Sequence, residues 1–388
     1  MRRRKICVVT GGRADYGLLF WPMKEIAAAV DFELQVVATG MHLVSEFGDT
    51  VRCIEEDGFP LSARVEMLLA SDSAVGIAKS IGLGVIGFAD AFAGLAPDLL
   101  LVVGDRFEIL AAVEAALMAR LPVAHLCGGD ITEGAYDDAI RHAITKMAHL
   151  HFPSNEPAAR RLRQMGEDPA RIFTVGSPGI DNIRRQPAMA RDEVAHETGI
   201  DLTRPALLVT YHPATLGAAA AVTELEELLA ALDRVGGGMT IAVTLPNADN
   251  DSRALRRAFE AFAATHANVR TFAALGSRLY LNLMRHAAAV VGNSSSGLYE
   301  APTLGTPTVD IGDRQQGRLK AASVISCAPE RGAIADAIGA ALKRGKALVE
   351  NPYGAGDASQ RIVEILRGFD DFRPLTRKRF VEFSECLR

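Results

Sequence analysis

Residues 99–126, LLLVVGDRFEILAAVEAALMARLPVAHL, hold a complete strand–turn–helix–strand pattern. The uninterrupted apolar run Leu99 to Val103 is typical of a strand that is buried on both faces, as in a parallel sheet. The polar turn Gly104-Asp105-Arg106 follows it, and a helix is predicted from Glu108 to Arg120 before a second strand from Val123 to Leu126. Such a unit joins two parallel strands through a crossover helix.

The same alternation of short apolar runs with helical patterns extends in both directions along the chain. The further predicted strands are Ile6–Thr10, Glu33–Thr39, His149–Phe152 and Ile172–Val175, then Ala206–Thr210, Thr240–Thr244, Ala288–Val291 and Thr308–Ile311. Because the turn Ser177-Pro178-Gly179 separates the two sets, we predict an α/β protein with two Rossmann-like domains. Their expected bounds are 1–178 and 179–365, with a tail, 366–388, that crosses back to the first domain.

Length and composition indicate a globular cytoplasmic protein. The 388 residues suffice for two domains, and hydrophobic residues make up 49% and charged residues 23%. The net charge of −5 favours neither a nucleic acid nor an anionic membrane as partner. The apolar region from Ile81 to Val103 is interrupted by Asp90, Pro97 and Asp98, which argues against a membrane span. The five cysteines form no C-x-x-C pair, so neither a zinc site nor a disulfide framework is expected.

Polar residues follow directly after the predicted strands in both halves. In doubly wound folds, ligands bind at the carboxyl edge of the sheet, and two such edges facing each other would form a cleft. Asp105 ends a wholly apolar strand, where Asp is disfavoured, and His212 ends another. Each also has a structural interpretation, since Asp105 could cap the following helix and His212 could be a hydrogen-bonded core histidine.

The stretch after Leu126, CGGDITEGAYDDAIRHAITK (127–146), is rich in titratable groups. Helical spacing pairs Asp137 with Arg141, Asp138 with His142, and His142 with Lys146. Further candidates in this stretch are Cys127, Asp130 and Glu133. The alternative is a solvated, salt-bridged helix start, where acids are favoured by the helix dipole.

The turn GNSSSG (292–297) precedes a predicted helix and favours a diphosphate site, because small residues, hydroxyls and a helix N-terminus all suit an anion. Arg314 follows on the next loop, Glu300 could accept hydrogen bonds from a ribose, and Arg13 after Gly11-Gly12 could contact a phosphate. The turn Gly11-Gly12-Arg13 does not match the G-x-G-x-x-G dinucleotide-binding turn, and the sequence has no metal cluster of convincing spacing, so neither a cofactor nor a metal is predicted.

With these motifs placed, the chain resembles the hydrolysing UDP-N-acetylglucosamine 2-epimerases of sialic- and legionaminic-acid biosynthesis. The motifs are TGGRADYG (10–17), TGMH (39–42), GDRFEI (104–109), DDAIRHAITKM (137–147), YHPAT (211–215), GNSSSG (292–297) and IGDRQQGR (311–318). Residues 65–84 and the segment PNAD (246–249) look more like the branch that acts on an N,N′-diacetylbacillosamine nucleotide.

The resemblance implies two Rossmann-like domains in the GT-B arrangement, with a nucleotide sugar in the interdomain cleft. It also implies a homo-oligomer, either a dimer or a tetramer. The catalytic candidates are Asp105, Asp137, His212 and Asp130. The substrate-binding candidates are Arg13, His42, Arg141, His142, Ser294, Ser295, Gly297, Glu300 and Arg314.

Two positions depart from the family pattern. The chain has Cys127 where relatives have Glu or His, and Asp130 where the family usually has Glu. Which carboxylate acts beside Asp105 and Asp137 therefore stays open. Two other functions share the fold and the diphosphate site: a GT-B glycosyltransferase that uses a UDP-sugar donor, and a non-catalytic sugar-nucleotide-binding protein.

Overall fold

The computed structural model describes residues 2–44, 50–71, 73–131, 136–212, 218–245, 252–273 and 275–382. The chain forms two compact units, one of residues 1–182 together with 353–388 and the other of residues 183–352. The chain thus joins the first unit again at Tyr353, earlier than the tail starting at residue 366 that the sequence suggested.

The first unit is built on a six-stranded parallel sheet with the strand order β3-β2-β1-β4-β5-β6. The strands are β1 Arg4–Thr10, β2 Phe32–Thr39, β3 Leu61–Val65, β4 Leu99–Val103, β5 Val123–Leu126 and β6 Leu150–Phe152. The helices are α1 Arg13–Ala28, α2 Val51–Glu56, α3 Ala74–Leu95, α4 Phe107–Met118, α5 Tyr136–Met147, α6 Glu156–Gln164 and α7 Pro178–Arg185. The predicted strand Ile172–Val175 is wrong, since only an isolated bridge joins Ile172 to His151.

Side chains of the central strands alternate between two cores, one on each face of the sheet. Leu99, Leu101 and Val103 of β4 pack into the core under α1, whereas Leu100 and Val102 pack into the core under α3 and α4. All five are fully buried. Because burial of one such side chain contributes about 1.5–3 kcal/mol, these strands fix the sheet firmly enough to hold strained turns at its edge.

Helix α3 explains the long apolar region of the sequence. Its length and apolarity match those of a membrane span, although only 28% of its most apolar window is buried in this structure. Phe88 and Phe92 stack at 5.7 Å between ring centroids and pack against the sheet. The opposite face of the helix leaves Val75, Leu83 and Ile86 exposed.

The C-terminal segment is fastened to the first unit by helix-end hydrogen bonds. The Asp181 carboxylate accepts from the backbone N–H groups of Ala358 at 3.0 Å and Ser359 at 2.7 Å, at the start of α14 (Ala358–Arg367, numbered after the helices of the second unit). Further on, Lys378 donates to the carbonyls of Thr145 and Ala148 at the end of α5. The tail therefore stabilises the helix that carries Asp137 and Arg141.

The second unit repeats the architecture with the strand order β12-β11-β10-β7-β8-β9, again all parallel. The strands are β7 Ala206–Thr210, β8 Thr240–Thr244, β9 Val269–Phe272, β10 Ala289–Gly292, β11 Thr308–Ile311 and β12 Val324–Cys327. The helices are α8 Arg191–Thr198, α9 Ala218–Val235, α10 Ser252–Thr265, α11 Gly276–His286, α12 Ser296–Tyr299 and α13 Arg331–Arg344.

Candidate functional site

Asp105 lies in the turn at the carboxyl end of β4 and is paired with Arg141 of α5. The Arg141 guanidinium donates to the Asp105 carboxylate, to the Asp138 carboxylate at 3.1 Å and to the backbone carbonyl of Asp130 at 2.8 Å. The Arg141 side chain is 7% exposed and that of Asp105 23% exposed. The side chain of Asp105 does not cap α4, whose N-cap is Arg106. The capping interpretation therefore fails, and a buried ion pair replaces it.

Helix α5 forms only some of the side-chain pairs that helical spacing predicts. Asp138 does approach His142, with 3.5 Å between Oδ2 and Nε2. Arg141, however, bonds Asp138 rather than Asp137, and Lys146 bonds Glu167 rather than His142. Asp137 lies close enough to Glu108 for its charge to raise the pKa of that carboxyl. The start of α5 is therefore not only a solvated, salt-bridged helix end, because the Arg141 side chain contacts Asp105 at the end of β4.

His125 couples this helix to the turn that carries Asp105. Its Nε2 donates to the carbonyl of Gly104 at 2.8 Å, and its Nδ1 lies 3.4 Å from the Thr145 hydroxyl. Burial lowers the pKa of His125 to about 3, so the ring is neutral at physiological pH. A neutral imidazole has a single N–H, and here it is engaged with the Gly104 carbonyl, so His125 positions this turn and has no second N–H to donate to a ligand.

The two positions that depart from the family pattern have structural partners. The Asp130 carboxylate accepts from the Ser154 hydroxyl at 3.1 Å and from the Asn155 amide at 3.0 Å, and Asn155 caps α6. Burial raises the pKa of the Cys127 thiol to about 12. Asp130 is thus occupied in holding two loops together, and Cys127 is a neutral thiol. Glu133 lies outside the described residues.

Arg13 and His42 lie at the carboxyl ends of β1 and β2. Arg13 is exposed in the first turn of α1, where the helix N-terminus favours an anion. His42 is buried, and its ring nitrogens lie 2.9 Å from the Thr10 hydroxyl and 2.7 Å from the Thr50 hydroxyl. Burial lowers its pKa to about 4. Since both nitrogens of His42 have partners, a direct contact to a ligand requires one of these bonds to break.

Sequence reasoning missed two acids near the strand ends, Asp15 in the first turn of α1 and Glu108 in the first turn of α4. Asp15 is 8% exposed, and burial followed by the charge of Glu108 raises its pKa to about 7. Glu108 is 1% exposed, and burial raises its pKa. Both belong to quoted motifs, TGGRADYG and GDRFEI. Their position next to a strand-end turn was the signal that could have identified them.

In the second unit, Asn293 holds the turn that carries His212. The His212 backbone N–H donates to the Asn293 carboxamide oxygen at 2.8 Å, and the Asn293 amide donates back to the His212 carbonyl at 2.9 Å. The preceding Gly292 has φ 139°, and a Cβ there would meet the Thr210 carbonyl oxygen at 1.9 Å. Only glycine fits this approach, so the turns after β7 and β10 are fixed against each other. Residues 213–215 and 246–249 lie outside the described part of the chain.

A chain of hydroxyl groups runs beneath the serine turn. Thr244 and Thr210 lie 2.5 Å apart, Thr210 and Tyr280 3.4 Å, and Tyr280 and Ser296 2.6 Å. The Ser296 hydroxyl donates to that of Ser294 at 3.1 Å. Hydrogen bonds in series polarise one another, so this chain orients the Ser294 hydroxyl at the edge of the sheet.

The other candidates around the serine turn differ in what they can do. Arg314 donates to the Asn293 carbonyl at 2.9 Å and is otherwise exposed. Gly297 packs against Thr308, whose Cγ2 would lie 2.6 Å from a Cβ, so this glycine serves close helix–strand packing. Glu300 has one carboxylate oxygen without a partner among the described residues, and burial raises its pKa to about 7. Glu300 can therefore accept hydrogen bonds from a ligand.

The sequence and the fold agree with one group of known proteins. The family model of UDP-N-acetylglucosamine 2-epimerase matches residues 24–367. The chain is 39% identical over 326 residues to the GDP/UDP-N,N'-diacetylbacillosamine 2-epimerase (hydrolyzing) of Campylobacter jejuni, with 84% of each chain covered. It is 34% identical over 364 residues to the UDP-N,N'-diacetylbacillosamine 2-epimerase (hydrolyzing) of Legionella pneumophila, covering 94% of this chain and 96% of the relative.

Solved structures support the same grouping at the level of the fold. The UDP-GlcNAc 2-epimerase of Neisseria meningitidis bound to UDP-GlcNAc superimposes with a TM-score of 0.76 at 19% identity, covering 94% of this chain and 100% of that one. The match to the family model and the identity to relatives over most of their length agree with the two parallel sheets. The chain therefore belongs to the UDP-N-acetylglucosamine 2-epimerase family, a family of enzymes.

Proposed function

We propose that the protein is a hydrolysing 2-epimerase of a 2-acetamido sugar nucleotide. The observation that carries the proposal is the placement of the Asp105–Arg141 ion pair and of the serine turn at the carboxyl edges of two parallel sheets. The names of the Campylobacter and Legionella relatives support the same reaction.

The reaction removes the C2 proton while the nucleoside diphosphate leaves C1, which produces a glycal. Water then adds at C1, and C2 receives a proton on the opposite face. Because the C2 proton is barely acidic, the departing diphosphate must be stabilised, and one preorganised donor contributes roughly 3–4 kcal/mol to that. A positioned general acid or base adds roughly 10²–10⁴-fold.

In this proposal the first unit supplies proton transfer. Asp105 and Asp137 act at the sugar, and His212 of the second unit is the third catalytic group. Arg141 holds the Asp105 carboxylate in one orientation, since Arg141 is itself fixed by Asp138 and the Asp130 carbonyl. His142 is proposed as a substrate-binding residue that contacts the sugar. Asp130 positions the Ser154–Asn155 loop, because its oxygens already accept two hydrogen bonds there.

In this proposal the second unit binds the nucleotide part of the substrate. Ser294 and Ser295 donate to the diphosphate at the N-terminus of α12, and Arg314 adds positive charge. Arg13, which belongs to the first unit, is proposed as a further positive group for the diphosphate. A helix of this length contributes little by its dipole, so the hydroxyls and guanidinium groups carry the interaction. Glu300, with its unpartnered oxygen, accepts from the ribose hydroxyls.

The substrate is UDP-N-acetylglucosamine or UDP- or GDP-N,N'-diacetylbacillosamine, and the product enters nonulosonic acid synthesis, either sialic or legionaminic. The printed names of the relatives favour the bacillosamine nucleotide. We further propose a cytoplasmic homo-oligomer. The exposed apolar face of α3, with Val75, Leu83 and Ile86, supports self-association because exposed apolar patches commonly mark interfaces.

The reaction predicts that solvent deuterium enters C2. When the protein turns over the sugar nucleotide alone in D₂O, we expect one deuterium at C2 of the released sugar and stoichiometric nucleoside diphosphate, both read by NMR. A glycosyltransferase would need an acceptor and leave C2 protonated, and a binding protein would release nothing. Either of those results would end the epimerase proposal.

Tyr280→Phe tests the hydroxyl chain beneath the serine turn. The change removes the hydroxyl that joins Thr210 to Ser296, so Ser294 loses part of its orientation. A net loss of about 0.5–1.5 kcal/mol for one hydrogen bond predicts that affinity for the nucleoside diphosphate falls about 2- to 12-fold. Calorimetry measures the affinity and a thermal melt checks the fold. Unchanged affinity would show that Ser294 is oriented without the chain.

A further inference from the structure

Glu108 is a buried carboxyl without a hydrogen-bond partner. It lies in the first turn of α4, is 1% exposed, and neither carboxylate oxygen has a partner among the described residues. The nearest cationic group recorded is the Arg106 guanidinium, with 3.7 Å between Nε and Oε2, which is too long for a hydrogen bond. Burial of an unpaired carboxyl is costly, and such groups in native proteins commonly mark functional sites.

Asp15 lies beside Glu108, on the same side of the Gly11 turn. A Cβ at Gly11 would meet the Cβ of Glu108 at 3.2 Å and Oδ2 of Asp15 at 3.5 Å. A Cβ at Gly40 would meet Cγ of Glu108 at 2.9 Å and Oε1 at 3.0 Å. The glycines thus leave the two carboxyl groups bordered by backbone. Since a side chain at Gly40 would collide with Glu108, glycine at this position allows the Glu108 carboxyl to pack directly against the backbone.

The pair adjoins the catalytic acids proposed above. Burial is the main cause that raises the pKa of Asp15 and of Glu108, and the charge of Asp105 adds to the first shift and that of Asp137 to the second. Each of the two carboxyl groups therefore lies near one of the proposed catalytic acids. A metal does not account for them, because no group of three or more His, Cys, Asp or Glu side chains suited to a metal occurs in the described residues. The Glu108 oxygens lack hydrogen-bond donors among the described residues.

We propose that Asp15 and Glu108 form an acceptor subsite for the sugar, which binds hydroxyl or amide N–H groups of the substrate next to Asp105 and Asp137. This inference rests on the proposed function and names a further part of the same site. The Asp130 carboxylate is held by Ser154 and Asn155. The Glu108 carboxylate, by contrast, has no hydrogen-bond partner among the described residues, and Asp15 lies beside it.

The subsite makes a prediction that separates ligand binding from folding. Glu108→Met removes the acceptor oxygens and keeps the length of the side chain, and Asp15→Asn removes the charge of its neighbour. A structural carboxyl would lower the melting temperature when it is removed. A subsite without protein partners gives an unchanged or raised melting temperature together with weaker substrate binding, as expected where function costs stability.

The test measures two affinities by calorimetry, one for the sugar nucleotide in an Asp105→Asn background that slows turnover, and one for the free nucleoside diphosphate. We expect Glu108→Met to weaken sugar-nucleotide binding about 10- to 100-fold, the size of hydrogen bonds to a charged group, and to leave nucleoside diphosphate binding within about twofold. Glu114→Met on the same helix is the matched control and should change neither affinity.

Three outcomes would overturn the subsite: unchanged sugar-nucleotide affinity in both Glu108→Met and Asp15→Asn, an equal loss for both ligands, or a loss that follows a lowered melting temperature. The proposed reaction is judged separately, by nucleoside diphosphate release from the wild-type protein. A wild type that binds the sugar nucleotide through Glu108 and never releases the diphosphate refutes the reaction and supports the subsite.

Discussion

Asp105→Asn lowers kcat by about 10²-fold or more and leaves the affinity for the free nucleoside diphosphate nearly intact. Asparagine keeps the size of the side chain and an oxygen that accepts from Arg141, so the geometry at the end of β4 survives. It removes the charge and the ability to take a proton. Because only the reacting sugar needs that proton transfer, the effect falls on turnover, measured as release of nucleoside diphosphate from the sugar nucleotide.

Arg314→Ala provides the contrasting profile. Its guanidinium is proposed to contact the diphosphate, which is common to the substrate and the leaving group, so binding of the free nucleoside diphosphate should weaken by about 1.5–3 kcal/mol, with a loss of rate as well. For the first variant, normal turnover by folded Asp105→Asn would contradict the role of Asp105 and would move the catalytic assignment to Asp130, Asp137 or Asp138. Thermal melts of both variants establish that they are folded.

Glu167→Ala should lower the free energy of unfolding by about 3–5 kcal/mol, the usual cost of breaking a buried ion pair. The Glu167 carboxylate is 1% exposed and contacts Lys146 at 2.6 Å, His151 at 2.9 Å and Lys378 at 2.6 Å. Its removal leaves Lys146 and Lys378 without their carboxylate, and Lys378 also bonds the carbonyls at the end of α5. Urea denaturation at neutral pH measures the loss.

The same carboxylate makes the stability depend on pH. Its contacts with His151, Lys146 and Lys378 overcome the effect of burial and lower the pKa of Glu167 to about 2, from an ordinary value of 4.5. A depressed pKa in the folded state means that the stabilisation is complete above about pH 4.5 and is lost as the pH falls towards 2. The wild type should therefore lose more stability than Glu167→Ala across this range.

Glu156→Ala is the control for this cluster. Glu156 accepts from Arg163 at 2.6 Å, but its side chain is 56% exposed, and exposed pairs contribute about 0–1 kcal/mol. A cost for Glu156→Ala equal to that for Glu167→Ala would show that burial does not set the difference. Equal acid sensitivity of the wild type and Glu167→Ala would assign the pH dependence to other carboxylates.

The sequence by itself determined the fold class and the positions of the central strands. The predicted bounds of β4, β5, β7, β8 and β11 match the structure, because a buried parallel strand is a short, largely apolar run that differs from the helical patterns beside it. The edge strands β3, β9 and β12 were missed. Each is partly exposed, so its residues mix polar and apolar types and resemble a loop.

Only the tertiary structure decided which polar residues meet. Helical spacing paired Asp137 with Arg141, but Arg141 instead contacts Asp105, because β4 and β5 are neighbours in the sheet and α5 lies behind their ends. The isolation of Glu108 and the engagement of Asp130 also depend on contacts that are distant in sequence. Local patterns report burial and turns, whereas ion pairs and unpaired buried groups arise only when separate segments pack together.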